Sequence, residues 1–159
     1  MNRPGRQRTA RSSAAGFSMI EVLVALLVLA LGLLGFALLQ TMNLRYTQGA
    51  HYRTQAVHLA SDLIDQMRSN RFTAAYYAGS GGASFAAGSI DESDCTRPTG
   101  TVTIKDNIER WQCQVVSALG EQAAATVTYA NGLVIVSLTW GERVPLGPNS
   151  TTFTLESQL

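Results

Sequence analysis

The chain has 159 residues, of which 46% are hydrophobic and 14% are charged, and its formal net charge is +1. This length suits one modest folded domain plus an anchor, and the charge balance leaves no basic patch of the kind that binds nucleic acid. No arrangement of catalytic residues or cofactor-binding motif is present, so the sequence favours a protein that is not an enzyme and holds no cofactor.

The longest apolar segment runs from Phe17 to Leu39. At about 1.5 Å per helical residue it can cross the roughly 30 Å of bilayer hydrocarbon. Glu21 is the only ionisable side chain in the segment. A carboxylate at membrane depth costs at least about 2.5–3.5 kcal/mol, so Glu21 is a candidate functional residue. The alternative is an ordinary signal anchor that happens to contain a glutamate.

The run GFSMIEVLVAL, which begins at Gly16, resembles the cleavage and N-methylation motif of type IV prepilins and type II secretion pseudopilins. The resemblance implies that prepilin peptidase cuts after Gly16 and methylates the new amino terminus, Phe17. It also implies that Glu21 makes an assembly contact with the terminal amine of a neighbouring subunit. A secretory signal is cut after its apolar region. Here the cut precedes that region, so the processed protein keeps its membrane helix.

The segment removed by this cut, residues 1–16, is a polar leader that contains Arg3, Arg6, Arg8 and Arg11. Positive residues ahead of a membrane span favour a cytoplasmic location for that end of the chain. The expected topology is therefore a single pass through the bacterial inner membrane, with the C-terminal domain in the periplasm before the protein enters a pilus at the cell surface. Loss of the leader leaves eight basic and eleven acidic residues, a net charge of −3.

The pattern of apolar residues changes after Leu39. We divide the processed chain into a transmembrane and assembly helix over residues 17–39, an amphipathic continuation over 40–71, and a periplasmic α/β head domain over 72–159. In the continuation, apolar residues recur at spacings of three and four, which predicts a one-sided helix that packs on a sheet. The residues of this predicted stripe are Ala56, Leu59, Ala60, Leu63, Ile64 and Met67.

A second helix is predicted over Asp106–Gly120, with Asp106 and Glu109 as a capping-box-like start. Its apolar face comprises Ile108, Trp111, Val115 and Leu119.

Three strands are predicted after this helix. Residues 124–130 and 133–140 alternate around Asn131-Gly132, which is a strong hairpin signal. Residues 151–157 form the third strand, and Val102 with Ile104 suggests a short fourth. These elements predict an α+β fold in which a long N-terminal helix packs on a small antiparallel sheet, as in the type IV pilin fold that the motif implies.

Cys95 and Cys113 are the only cysteines. An oxidising periplasm and an even count favour a disulfide between them. It would close a loop of about 18 residues, which corresponds to about 3 kcal/mol in the chain-entropy model. The alternative is two unpaired thiols.

Two groups of polar residues are weaker candidates for metal sites. Asp91, Glu92 and Asp94 are able to hold calcium, but their spacing does not match an EF-hand, and a solvated acidic turn is the favoured interpretation. His51 and His58 share roughly one face of the long helix with Asp62. Helical histidines of this kind are more often solvent-exposed side chains. We therefore predict no metal.

The runs YTQGAHYRTQA and LASDLIDQMRSNR resemble the stalk of minor pilins of the type IV pilus modification (PilV) family, with Arg68, Asn70 and Arg71 at the matching end. This resemblance implies a protein that primes pilus assembly, with a place at the pilus tip and roles in adhesion and twitching motility. Its partners would be the lipid bilayer, prepilin peptidase, the major pilin, other minor pilins and the inner-membrane assembly platform.

Three alternatives to this function remain. The first is a minor pseudopilin of a type II secretion system, which shares the anchor. The second is a tip adhesin that binds a ligand in the Gly79–Gly100 region. The third is a membrane-anchored periplasmic enzyme or sensor, which requires a convergent polar pocket.

Overall fold

The structure, a computed structural model, describes residues 16–96, 99–142 and 149–159. Three α-helices and three strands are assigned there: α1 Met19–Ser69, α2 Ala74–Ala78, α3 Ile104–Leu119, β1 Ala124–Ala130, β2 Leu133–Gly141 and β3 Ser150–Gln158. The chain divides into two compact units, one up to Thr41 and one from Met42 onward. Leader residues 1–15 lie outside the described residues.

The first unit contains the apolar part of α1. Its large side chains are exposed on every side of the helix, from Met19 at 87% at its start to Leu39 at 60%. Among the described residues, α1 is the helix whose length and composition suit a membrane span. An all-round apolar helix needs a surrounding of lipid or of other helices.

In the second unit, the remainder of α1 buries one face. All six residues of the predicted stripe are buried, so this prediction is confirmed. Leu63, Ile64 and Met67 have at most 2% of their surface exposed. The helix ends after Ser69, where the Asn70 side chain donates a hydrogen bond to the Gln66 carbonyl at 3.0 Å.

The sheet against which this stripe packs has the strand order β1-β2-β3, with both pairs antiparallel. Asn131 and Gly132 connect β1 to β2 with φ values of +52° and +81°. Positive φ at both positions is the requirement of a type I′ turn, which Asn-Gly satisfies at little cost. The central strand β2 supplies the middle of the core, with these fully buried residues: Val134, Val136, Leu138 and Trp140. The predicted antiparallel meander is confirmed.

The predicted start of α3 is wrong by two residues, because Thr103 is the N-cap. The Asp106 backbone N–H donates to Thr103 Oγ1 at 3.2 Å, and the Thr103 backbone N–H donates to Asp106 Oδ2 at 2.7 Å. Hydrogen bonds from the Thr103 side chain and backbone N–H lower the pKa of Asp106. Ile104 is the first helical residue and Val102 is an exposed residue ahead of the cap, so the predicted short strand is also wrong.

The four predicted apolar residues of α3 are all buried, and Trp111 joins α3 to α1. Its indole Nε1–H donates to the Leu59 carbonyl at 2.8 Å in a buried position. Because a buried indole N–H without a partner is costly, this contact fixes where α3 crosses the helix.

We expect Trp111→Phe to lower the free energy of unfolding by about 1–3 kcal/mol, because it removes a buried hydrogen bond and leaves a small void. Denaturant unfolding of the full chain in detergent measures the change. Tyr76→Phe is the control, since Tyr76 is 68% exposed, and it should change stability by less than about 0.5 kcal/mol. Equal effects of the two substitutions would contradict a structural role for the indole contact.

Candidate assembly site at the start of the long helix

Glu21 lies in the first turn of α1. Its backbone N–H donates to the Ser18 carbonyl at 3.1 Å, and the Val22 N–H donates to the same carbonyl at 3.3 Å. The helical hydrogen bonds therefore begin at Ser18, one residue after Phe17. The structure thus places Gly16 and Phe17 directly ahead of the helix and Glu21 within its first turn.

The electrostatics of this helix start favour a carboxylate. The first backbone N–H groups of a helix carry partial positive charge, which stabilises an acidic side chain in the first turn. A chain that began at Phe17 would add a cationic amine at the same end. The surrounding surface is apolar, with Ile20 66% exposed and Leu23 62% exposed. Among the described residues Glu21 has no ion-pair partner, and its carboxylate on an apolar surface suits the binding of a cation.

The second pair of candidate residues is brought together as a disulfide. Cys95 and Cys113 are bonded, with their Cα atoms 5.7 Å apart. Cys113 lies on α3, so the bond attaches the preceding connection to that helix. The acidic turn beside Cys95 is organised by Asp91, whose Oδ1 accepts from the Ser93 backbone N–H at 2.8 Å and from its hydroxyl at 2.7 Å. These two hydrogen bonds lower the pKa of Asp91.

Two of the three candidate metal ligands on α1 line the same groove. His58 and Asp62 line an open groove of about 470 Å³ with side chains of α3, including Gln114, and His51 does not line it. In the part of the chain that the structure describes, no three His, Cys, Asp or Glu side chains come close enough to hold a metal ion.

One contact in the second unit is not predicted from the sequence. Gly49 is buried on α1, and the Glu142 carboxylate lies against it. A Cβ at position 49 would clash with Glu142 Oε1, while Glu142 Oε2 accepts a hydrogen bond from the Thr151 hydroxyl. We call the space beside Gly49 that the Glu142 carboxylate occupies the notch. A glycine in a polar stretch of helix is the only sequence signal for it, and this signal does not indicate which residue fills it.

One of three comparisons with known proteins gives a match, and it covers the first of these sites. A family model described as the prokaryotic N-terminal methylation motif matches residues 11–37, which include Gly16, Phe17 and Glu21. No curated protein matches the chain, and no solved structure matches it. The first part of the chain is thus similar to the N-terminal segment of type IV prepilins and pseudopilins. The motif implies processing by prepilin peptidase, assembly with pilins and anchoring in the inner membrane beforehand.

We expect replacement of both Cys95 and Cys113 by serine to lower the free energy of unfolding by about 3 kcal/mol, because the cross-link restricts the unfolded chain. Chemical denaturation of the full chain measures the loss. Treatment of the unsubstituted protein with a reductant should give the same loss, and the double variant should not respond to the reductant. An unsubstituted protein whose stability is unchanged by full reduction would contradict this account.

Proposed function

We propose that the chain is a minor pilin of the PilV type that is cut after Gly16, methylated on Phe17 and assembled through Glu21. The observation that carries the proposal is Glu21 itself, a lone carboxylate in the first turn of an exposed apolar helix that matches the methylation motif. In this proposal, residues 17–39 cross the membrane, residues 40–71 continue the helix outside it, and residues 72–159 form a periplasmic head.

The driving force we propose for assembly is mutual neutralisation of two charges. The Glu21 carboxylate costs at least about 2.5–3.5 kcal/mol at membrane depth when it is unpaired. The amine of a neighbouring Phe17 is also costly in an apolar surrounding. When the two groups meet, each satisfies the other, and the apolar faces of the two helices pack together. The pairing therefore favours lateral association of processed subunits over isolated subunits in the bilayer.

The segment at the end of α1 carries the three residues on which the PilV resemblance rests. Arg68, the first of the three matching residues there, donates through Nη2 to the Ser157 hydroxyl at 2.6 Å and through Nη1 to Asp65 at 3.1 Å. Arg68 thus connects the last turn of the helix to β3, which gives this stalk ending a role in holding the head. By resemblance, the partners are the major pilin, other minor pilins and the inner-membrane assembly platform, and the role is priming of the pilus.

A minor pseudopilin of type II secretion is the second candidate, and the methylation motif favours it equally. The two differ in their partners. Affinity purification of the full chain from native membranes distinguishes them, since pilus subunits are expected for the first and secretion components for the second.

We expect Gly16→Val to block processing, because a branched side chain occupies the position next to the cut bond. Mass spectrometry of the protein from cells that contain prepilin peptidase should find an intact leader. Gly35→Ala is the control, since a Cβ at Gly35 meets nothing within 4 Å, and it should be processed normally. A variant at position 16 that begins with methylated Phe17 would refute the assignment of the cut.

We expect Glu21→Ala to leave the protein in the membrane and to lower its incorporation into the assembled complex at least about tenfold, the factor that corresponds to about 1.4 kcal/mol. Quantitative immunoblotting of membranes and of purified assemblies measures the two pools. Glu21→Asp keeps the charge and should retain more incorporation than the alanine variant. Normal incorporation of Glu21→Ala would count against the charge pairing.

A further inference from the structure

The two edges of the sheet differ in whether another segment of the chain pairs with the edge strand. The β1 edge is closed by the segment that contains Ser84 and Phe85. The Phe85 N–H donates to the Ala125 carbonyl at 2.9 Å, and the Ala125 N–H donates to the Phe85 carbonyl at 3.0 Å. The Ser84 hydroxyl accepts from the Val127 N–H at 2.9 Å and donates to the Val127 carbonyl at 3.3 Å. The outward main-chain groups of β1 at these positions therefore have partners.

The β3 edge is open over residues 150–158. In the described ranges, β3 pairs with β2 and with no other strand. Its pairing with β2 is one to one from Ser150 to Gln158, so no bulge bends it away from a neighbour. It contains no proline or lysine, and its one charged residue is Glu156. Bulges, prolines, lysines and other charged residues normally prevent an edge strand from pairing with another chain, and β3 has little of this protection.

The direction of the main-chain groups follows from the closed edge. Val127 directs its N–H and C=O away from β2, and its antiparallel partner is Val136. In an antiparallel pair, two residues opposite each other direct their main-chain groups either both inward or both outward. Val136 therefore directs its N–H and C=O away from β1 and toward β3, where its partner is Leu155. Leu155 therefore bonds to β2. The residues on either side of it, Thr154 and Glu156, direct their N–H and C=O groups to the open edge.

The side chains of β3 also leave the edge incomplete. Phe153 and Leu155 face the core but are only partly buried, whereas Val136 and Leu138 on the central strand are fully buried. A further strand beside β3 would cover the apolar surface that these two residues expose. Glu156 forms no ion pair with any of the described residues, so a basic residue opposite it would be complementary.

We propose that the open edge of β3 binds an extended segment of a different protein chain by strand addition. The segment that fits alternates apolar and polar residues, with the apolar ones beside Phe153 and Leu155 and a lysine or arginine near Glu156. Main-chain hydrogen bonds to Thr152, Thr154 and Glu156 supply the affinity, and the alternation of side chains supplies the selectivity.

Symmetry argues against a second copy of this chain as the occupant. When two β3 strands pair in antiparallel fashion, a twofold axis perpendicular to the sheet relates the two copies. This axis reverses the direction of the α1 segment that packs on the second sheet. Subunits that assemble side by side from one membrane carry that helix in the same direction. Parallel pairing of two β3 strands joins the apolar face of one sheet to the polar face of the other. The remaining edge, β1, is closed by Ser84 and Phe85.

The test uses the full chain in detergent and a fluorescent peptide of about nine residues, alternating valine and threonine with one lysine opposite Glu156. We expect saturable binding with a dissociation constant below about 1 mM, measured by fluorescence anisotropy. We also expect amide exchange to slow at Thr152, Thr154 and Glu156 but not at Ala125. No binding in this range, or binding without protection of these amides, would overturn the proposal.

The decisive variant is Thr154→Pro. Proline removes an outward N–H and keeps the bonds to β2, since proline is tolerated where the N–H of an edge strand faces solvent. We expect the peptide to bind at least about tenfold more weakly, the effect of losing a main-chain hydrogen bond and of the ring obstructing the edge. Thr154→Val is the matched control. Both variants lose the hydroxyl contact with Ser137, at 2.9 Å, but valine keeps the N–H.

Near-ultraviolet circular dichroism of Trp111 and Trp140 verifies that both variants keep their core. Equal binding by the proline and valine variants would overturn strand addition. Sedimentation that shows a dimer of the full chain, abolished by Thr154→Pro, would overturn the choice of a different chain as the occupant. These measurements do not depend on cleavage after Gly16 or on Glu21.

Discussion

The packing of one stripe of α1 against the sheet is the constraint on which the rest of this structure depends. The helix begins with an apolar surface on every side and continues with a surface that is apolar on one side only. Ala60, Leu63 and Met67 have no exposed surface, and they belong to one hydrophobic cluster with buried residues of β2 and α3. Without this contact, the second half of the helix would be a polar helix with an uncovered apolar stripe. The contact with the sheet therefore stabilises the helix as well as the head, because isolated helices gain little from propensity alone.

Most of the fold could be predicted from the sequence because its periodicities are unambiguous. The spacing of three and four in α1 and α3 and the alternation around Asn131-Gly132 each leave one interpretation. The errors arose at the start of α3, where local side-chain hydrogen bonds decide the outcome. Thr103 and Asp106 form the reciprocal cap, and Asp106 with Glu109 has the same spacing. Sequence spacing does not distinguish two overlapping caps, and the apolar pair Val102 and Ile104 suggested a strand where a helix begins.

The candidate assembly site could be predicted because its signal is concentrated in adjacent residues. A glycine, a phenylalanine and a single acid ahead of an apolar run are all visible without any tertiary information. The notch at Gly49 is the opposite case. Its meaning depends on Glu142, which is far away in sequence and reaches the helix through the sheet. The closure of one sheet edge and not the other is likewise a tertiary property. No sequence pattern at Ser84 and Phe85 indicates that they pair with β1.

The two proposed binding sites follow one physical logic. Among the described residues, Glu21 has no charged partner and the outward groups of β3 have no strand partner. Each is costly in a dry surrounding, and in both proposals a group of defined geometry on another chain satisfies it. A carboxylate in an apolar helix selects a cation at one depth of the membrane, whereas an open strand edge selects an extended backbone. Because the two proposed sites recognise different chemistry, the group proposed to bind at one site is not expected to bind at the other.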